Sequence, residues 1–391
     1  MQWKKETVEM PYVKLTQHLI GILLLLSIII QQFAMALAFL FCAIIVIGQN
    51  FYIRSVGQKI SIENSKVRER LIVGGQSELT FTFENKGLPV WQSNLTIIFD
   101  DSLKPEVGGY LHRQSEYEVK IPLTLPAKKR CTVSLPVYAQ KRGLVKIKQI
   151  QLSIPNLVGS GLVLLHLSDP FLEEKLIYPN IHHVKGELQS FSQFLGDVPT
   201  PQTLFLDPFL PIGTREYQSG DSFQHIHWKA TARSQVLHTK VFETTTDHSW
   251  LFMLNVLDRY SITAELDAFI EGMTYLIEKA YKENHSYSMA INIRSILNRP
   301  YFYLPVGNGE AQRRKALDVL ATLSNNDATI PCELMQQQLF RGGDHPPLGI
   351  HVGKRSQEID TSLRVMNRNG MKIFTLEFSK KQGELKQWII Q

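Results

Sequence analysis

The sequence predicts a chain of three parts: an N-terminal transmembrane helical hairpin, an antiparallel β-sandwich of immunoglobulin-like architecture, and a doubly wound α/β domain. Three observations carry this assignment. No charged residue lies between Lys14 and Arg54, a stretch of 39 residues. From about residue 56 to 178, apolar and polar residues alternate with period two. After about residue 245, strand-length apolar runs alternate with helical stripes. The expected boundaries are 1–53 for the anchor, 54–180 for the sandwich, 181–245 for a connecting region and 246–391 for the α/β domain. A chain of 391 residues has room for two or three such units, each with its own core.

As one helix, the uncharged stretch reaches roughly 58 Å, about twice the ~30 Å of a bilayer's hydrocarbon core. Its most polar interior point is Gln31-Gln32, which separates Leu19–Ile30 from Phe33–Gly48. Two short helices within residues 15–53 therefore fit a bilayer better than one straight one. Lys4, Lys5 and Lys14 precede the stretch, and Arg54, Lys59, Lys66, Arg68 and Arg70 follow it. Basic flanks favour the cytoplasmic side. A hairpin puts both flanks there, so the expected location is the cell membrane, with two spans and the bulk of the chain cytoplasmic. A single tilted span is the competing arrangement.

In the next part Leu79, Phe81 and Phe83 alternate with polar neighbours, and Asn85-Lys86-Gly87 supplies a turn. Tyr117, Val119, Ile121, Leu123 and Leu125 form a second alternating set, and Cys131, Val133, Leu135 and Val137 a third. Such runs, punctuated by Gly, Pro and Asn, read as sandwich strands. Between Ile147 and Ile150 the apolar phase slips, which predicts a bulge near Lys148-Gln149. Residues 111–150 carry a local net charge of +7. That reads either as the wet face of half-buried strands or as a docking face for anionic lipid or an acidic partner. No groove-reading helix accompanies the charge, so nucleic acid is not an expected partner.

Beyond residue 245, Trp250–Leu257 reads as a strand buried on both faces. The stripe from Ile262 to Ala280 reads as an amphipathic helix, with Ser261 as N-cap and Asn284 as stop. Strands are expected at Tyr287–Ile293, Tyr301–Leu304, Leu348–Val352 and Met371–Glu377, and helices at Ala311–Leu323, Pro331–Leu339 and Gln357–Asn367. This alternation implies a mostly parallel sheet.

Between the two regular regions lies a segment with neither periodicity, residues 213–233, dense in Arg, Glu, Asp, His, Trp and Lys. It contains Arg215, Glu216, Tyr217, Gly220, Asp221, Ile226, Trp228, Lys229, Ala232 and Arg233, followed by Leu237, Lys240, Phe242 and Glu243. In this it resembles the bacterial family known as domain of unknown function 58, whose pattern is close to R-E-Y-x-x-G-D-x-x-x-x-I-x-W-K-x-x-A-R. Lys141-Arg-Gly143 before the late sandwich strands agrees with the same family. The resemblance implies a von Willebrand factor A-like C-terminal domain. It also implies partnership with a MoxR-type AAA+ ATPase and with a transglutaminase-like membrane protein. In metal-binding A domains a D-x-S-x-S loop follows the first strand. Here that place reads Asn255-Val256-Leu257-Asp258-Arg259, without the lead carboxylate or the hydroxyls, so no metal ion is expected there.

The segment admits three readings. Arg215–Glu216 and Asp221–Lys229–Arg233 form a buried ion network that clamps the domains, with Trp228 packed in the seam. Alternatively, Arg215, Lys229 and Arg233 form a pocket for an acidic group or phosphate. In the third, His225 and His227 join Asp221 around a metal. No P-loop and no G-x-S-x-G elbow occurs. Cys332 precedes His345 and His351, but its apolar setting reads as structural. Three cysteines without a C-x-x-C spacing supply neither a disulfide framework nor a zinc site. The expectation is a membrane-anchored scaffold or assembly factor without catalytic residues, cofactor or metal. The alternative is an enzyme or receptor acting on an anionic envelope precursor through residues 213–233.

Overall fold

The computed structural model of the chain describes residues 3–9, 11–64, 66–156, 161–186, 206–218, 221–244, 249–296, 299–342, 346–379 and 382–388. Two compact units divide it: Met1–Asn180 with Leu317–Ser324, and Ile181–Ala316 with Asn325–Gln391.

In the first unit, helix α1 (Pro11–Ile29) leads through Gln31, at φ +61°, into α2 (Phe33–Ser55). The polar break of the sequence is thus the turn between helices. Gln17 Nε2 donates to Asn50 Oδ1 (3.3 Å) at the ends remote from that turn, so the two helices run antiparallel. α2 is long and apolar enough to cross a membrane and buries none of its residues; α1 contributes a shorter apolar stretch, Leu15–Ile29. The last carbonyls of α2 are capped from outside. Lys5 Nζ donates to the carbonyl oxygens of Ile53 (2.5 Å), Arg54 (2.9 Å) and Val56 (2.8 Å). A cation there satisfies orphan acceptors and complements the helix dipole. Lys5 sits on a strand, Trp3–Glu9, paired antiparallel with Gly161–Leu167. Residues 3–9 are therefore sheet, a correction to the expectation that everything before residue 54 is anchor.

The larger sheet of this unit runs Trp3–Glu9, Gly161–Leu167, Gly143–Pro155, Val90–Asp100, Glu116–Leu125, Tyr110–Arg113. The smaller runs Ile60–Ile62, Gln76–Asn85, Lys129–Ala139, Leu103–Pro105. Leu79, Phe81 and Phe83 of one sheet and Leu95, Ile97, Phe99 and Val119 of the other belong to a single buried cluster. The alternation exists because every second side chain enters that cluster. The expected bulge is present, as a register shift between Ile147 and Gln149 against Val90–Asp100. Among the described residues, one pair departs from an all-antiparallel sandwich: Arg68–Ile72 runs parallel to Glu174–Tyr178. Within this unit Arg70 also meets Asp318 (Nη2 to Oδ2, 2.9 Å), and Tyr178 Oη donates to the same carboxylate (2.6 Å).

The basic window of residues 111–150 is largely neutralised. Lys141 pairs with Asp101 (2.6 Å), Lys146 with Glu174 (3.2 Å), Lys148 with Asp100 and Glu116, and Arg130 with Glu84 (3.7 Å). Most of these acids lie outside the window in sequence and reach it across the sheets.

The second unit contains a two-stranded ribbon, Leu206–Glu216 with His238–Thr244, enclosing the short helix α3 (Trp228–Ser234). Its main sheet runs Val184–Gly186, Gln382–Gln387, Lys372–Ser379, Leu348–Val352, Trp250–Leu254, Tyr287–Arg294, Tyr301–Gly307. The four strands from Lys372–Ser379 to Tyr287–Arg294 are parallel, and Tyr301–Gly307 is antiparallel to its neighbour. Helices α4 (Leu266–Lys282), α5 (Gly309–Thr322, which from Leu317 onward counts with the first unit), α6 (Cys332–Arg341) and α7 (Gln357–Arg368) lie in the connections. α4 stops as expected, with Asn284 at φ +55°. Its start differs. Ser261 does not cap it, because Leu257-Asp258 pairs with Ser261-Ile262 in a tight hairpin and the helix opens after Glu265.

Candidate functional site

The motif is built on the ribbon. Asp221 is its hub: it accepts from Arg215 Nη2 (2.6 Å), from the Gln218 backbone N–H (3.0 Å) and from Thr239 Oγ1 (3.2 Å). The Arg215 guanidinium beside it holds its carboxyl down at about 2. Arg215 Nη1 also donates to the Glu216 carbonyl (3.1 Å), so its partners are the Asp221 carboxylate and a backbone oxygen rather than the Glu216 carboxylate. Tyr217 N–H donates to Leu237 O (2.8 Å), which seats the segment on the second strand, and the Tyr217 ring lies 5.9 Å from that of Phe223.

His227 starts α3. Its Nδ1 accepts from Ala230 N–H (3.0 Å), which caps the start of the helix. His227 N–H donates to His238 O (2.8 Å), and His238 N–H donates to Thr231 Oγ1 (3.0 Å), tying helix to ribbon. Ile226 is the buried plug between them, bridged to Thr239. With Asp221 occupied by three donors and His227 Nδ1 used as a cap, these groups do not converge on a metal position. Gly220 lies outside the described residues.

The remaining motif residues face outward. Trp228 is 66% exposed, and Lys229 and Arg233, also exposed, have no carboxylate partner among the described residues. The Asp221–Lys229–Arg233 network expected from the sequence does not form among the described residues. Thr231, Thr239 and His238, which hold the motif together, drew no attention in the sequence because lone threonines and histidines carry no signal there.

A second constellation lies at the carboxyl end of the parallel strands. Asn255 Oδ1 accepts from Leu257 N–H (3.0 Å) and Asn292 Nδ2 (2.9 Å), while its own Nδ2 donates to Lys354 O (2.8 Å) and Leu257 O (3.3 Å). Asn292 in turn accepts from Val256 N–H (2.8 Å) and donates to Ile330 O (3.0 Å). Gly353, at φ +126°, closes against this hub, and a Cβ there would collide with the Asn255 carbonyl. Two buried amides thus lock the loops that follow Trp250–Leu254 and Tyr287–Arg294. Around them, Asp258 pairs with Lys354 (2.6 Å), and Arg259 at φ +57° turns the hairpin so that Tyr260 is 100% exposed.

Cys332 and His351 are both buried on one side of this sheet. His351 Nδ1 is 3.5 Å from Gln336 Nε2, one turn along α6 from Cys332. Burial pushes the thiol up and the imidazole down to about 4, so neither carries charge near neutrality. His345 lies outside the described residues.

Comparison with known proteins bears on the motif. The family model described as Protein of unknown function DUF58 matches residues 213–280, from the ribbon into α4. That match supports the DUF58 family. No curated protein matches the chain. Among solved structures, a non-cellulosomal cohesin from Archaeoglobus fulgidus is similar at 13% identity and a TM-score of 0.21, covering 36% of this chain and 99% of its own. AvmM, which catalyses macrocyclization in alchivemycin A biosynthesis, is similar at 10% identity and 0.20, covering 30% and 84%. The CARDB domain of a Pyrococcus furiosus protein in complex with di-metal ions scores 0.18 at 10% identity, covering 30% and 90%. Scores this low decide nothing about fold or chemistry.

Proposed function

We propose that this chain is a membrane-anchored cytoplasmic scaffold whose α/β unit engages a protein partner. By family resemblance that partner is a MoxR-type AAA+ ATPase, in assembly of membrane or envelope complexes. The observation that carries the anchoring is the pairing of Trp3–Glu9 with Gly161–Leu167. Both ends of the apolar segment leave from one folded unit, so the chain between them crosses a bilayer an even number of times. Two crossings, by α1 and α2, satisfy this; one does not. The basic flanks then favour the cytoplasmic side for the folded units.

The strand order, with Trp250–Leu254 in the sheet interior and parallel neighbours on both sides, supports the von Willebrand factor A-like reading. The carboxyl ends of such strands are where open α/β sheets meet their ligands. Here the buried amide hub gives the loops a rigid base, and Tyr260 and Ile296 stand fully exposed on the first two of them. Exposed tyrosine on a held turn is a common interface anchor.

Two measurements test the proposal. Trypsin should digest the folded units in sealed inside-out vesicles and spare them in right-side-out ones; digestion in the right-side-out vesicles would sink the orientation. A purified MoxR-type ATPase should bind the detergent-solubilised full chain, and Tyr260→Ala should weaken binding roughly tenfold or more at unchanged melting temperature. No binding, or equal binding by the variant, removes this face from the proposal.

A further inference from the structure

We infer that the Phe223–Leu237 segment is a contact surface for anionic phospholipid headgroups. The inference rests on the membrane-anchor reading above and goes beyond it by giving the motif a ligand. Its first support is composition: from Ser222 to Phe242 there is no Asp or Glu, against Lys229, Arg233 and Lys240. Asp221, the neighbouring acid, is already held by Arg215. The second support is exposure. Phe223 is 69% and Trp228 66% exposed, and Val236 and Leu237 are exposed after them.

An ordinary solvated surface keeps its large aromatics buried and its charges mixed in sign. This one does neither. Lys229 and Arg233 lie one turn apart on α3, and Trp228 begins the same helix. Tryptophan and phenylalanine beside unneutralised cations are the equipment of a headgroup-level contact: the rings enter the interface and the cations meet phosphate. An acidic polypeptide would satisfy the cations too. The bilayer is favoured because, on the anchor reading, an apolar helix of the same chain tethers the whole chain to it and raises the effective concentration of headgroups. The apolar side chains also stand out from turns and a seven-residue helix, a shape that inserts into an interface.

The test is amide hydrogen exchange of the full chain in nanodiscs of pure phosphatidylcholine and of phosphatidylcholine with phosphatidylglycerol. Two cations at an anionic surface are expected to change the occupancy of the contact roughly thirtyfold. Peptides covering 221–240 should accordingly exchange more slowly in the anionic discs, and high salt should reverse the difference. The paired substitution Lys229→Glu and Arg233→Glu should abolish it, with exchange of the Trp250–Leu254 strand unchanged as the control for folding. Equal exchange in the two lipids overturns the inference. Protection by soluble polyglutamate but not by anionic discs overturns it in favour of an acidic protein partner. Recovery of the chain in the soluble fraction would count against the anchor. In that case co-sedimentation of the chain with anionic vesicles still decides the lipid contact, and its absence overturns the inference.

Discussion

At the carboxyl end of the parallel strands, Asn255 and Asn292 join four chain segments through buried, neutral amides; in the motif, Asp221 joins two through an ionised carboxylate near the surface. Both hubs are well supplied with partners, yet they respond differently to the loss of one. A buried amide has no water to turn to, so each broken bond leaves an orphan. At Asp221, water can replace a donor. The first arrangement makes a rigid base that tolerates little. The second fixes a short ribbon and helix while leaving their aromatic and basic side chains free to face outward.

The most severe way to break the buried hub is Gly353→Ala. It adds both a strained φ and a collision with backbone, and neither is relieved by rotating a side chain. The loss should exceed about 4 kcal/mol, seen as failure to fold or a collapsed denaturant midpoint. Asn292→Ala should come next. It strands the Val256 N–H, the Ile330 carbonyl and one bond of Asn255, so a loss of about 3 kcal/mol is expected in urea unfolding. A loss under about 1 kcal/mol would mean that water enters the site and that the contrast with Asp221 is false.

His351 supplies a pH test of the same unit. Burial lowers its folded value from an ordinary 6.5 to about 4. The unfolded state therefore takes up the proton first, and stability present above pH 6.5 is lost as pH falls towards 4. The linkage amounts to roughly 3 kcal/mol. Urea midpoints measured from pH 7 to 4 should show the decline in the native chain, and His351→Gln should flatten it.

How much of this was legible depended on where each partner lay. Leu348–Val352, the Trp250 strand and the bulge at Ile147–Gln149 are written in local apolar patterns and could be read directly. Trp3–Glu9 could not. Its charged residues hide the alternation, and its partner strand is some 150 residues away. The ion pairs of the basic window were hidden for the same reason, since Asp101 and Glu174 come from beyond it. In the motif, residue types suggested an ion network, and Arg215–Asp221 forms. Whether Lys229 and Arg233 joined it depended on side-chain direction around α3, which residue type alone does not specify. Ser261 looked like a helix cap because nothing local announces that Arg259 will adopt a left-handed turn.

The smallest effect expected is the one that most sharpens the comparison. Asp221→Asn keeps the shape of the hub and removes its charge. Because Arg215 and Gln218, two of the three partners of Asp221, are exposed and only Thr239 is buried, water can take over most of the lost bonding and the global unfolding midpoint at neutral pH should move little. The local structure should loosen, since Arg215 loses its counter-charge and an amide nitrogen replaces one of the two accepting oxygens. Faster amide exchange at residues 215–218 and 237–240, with the Trp250–Leu254 strand unaffected, is the readout. Acid should reproduce the effect in the native chain. The carboxyl's folded value is depressed from 3.8 to about 2, so its contribution is complete above 3.8 and is lost as pH falls from there towards 2. The substituted chain should show no such step. If Asp221→Asn instead lowers the global midpoint as much as Asn292→Ala does, the motif is integral to the core of its unit. Its outward-facing tryptophan and cations would then no longer be parts of a surface free to bind.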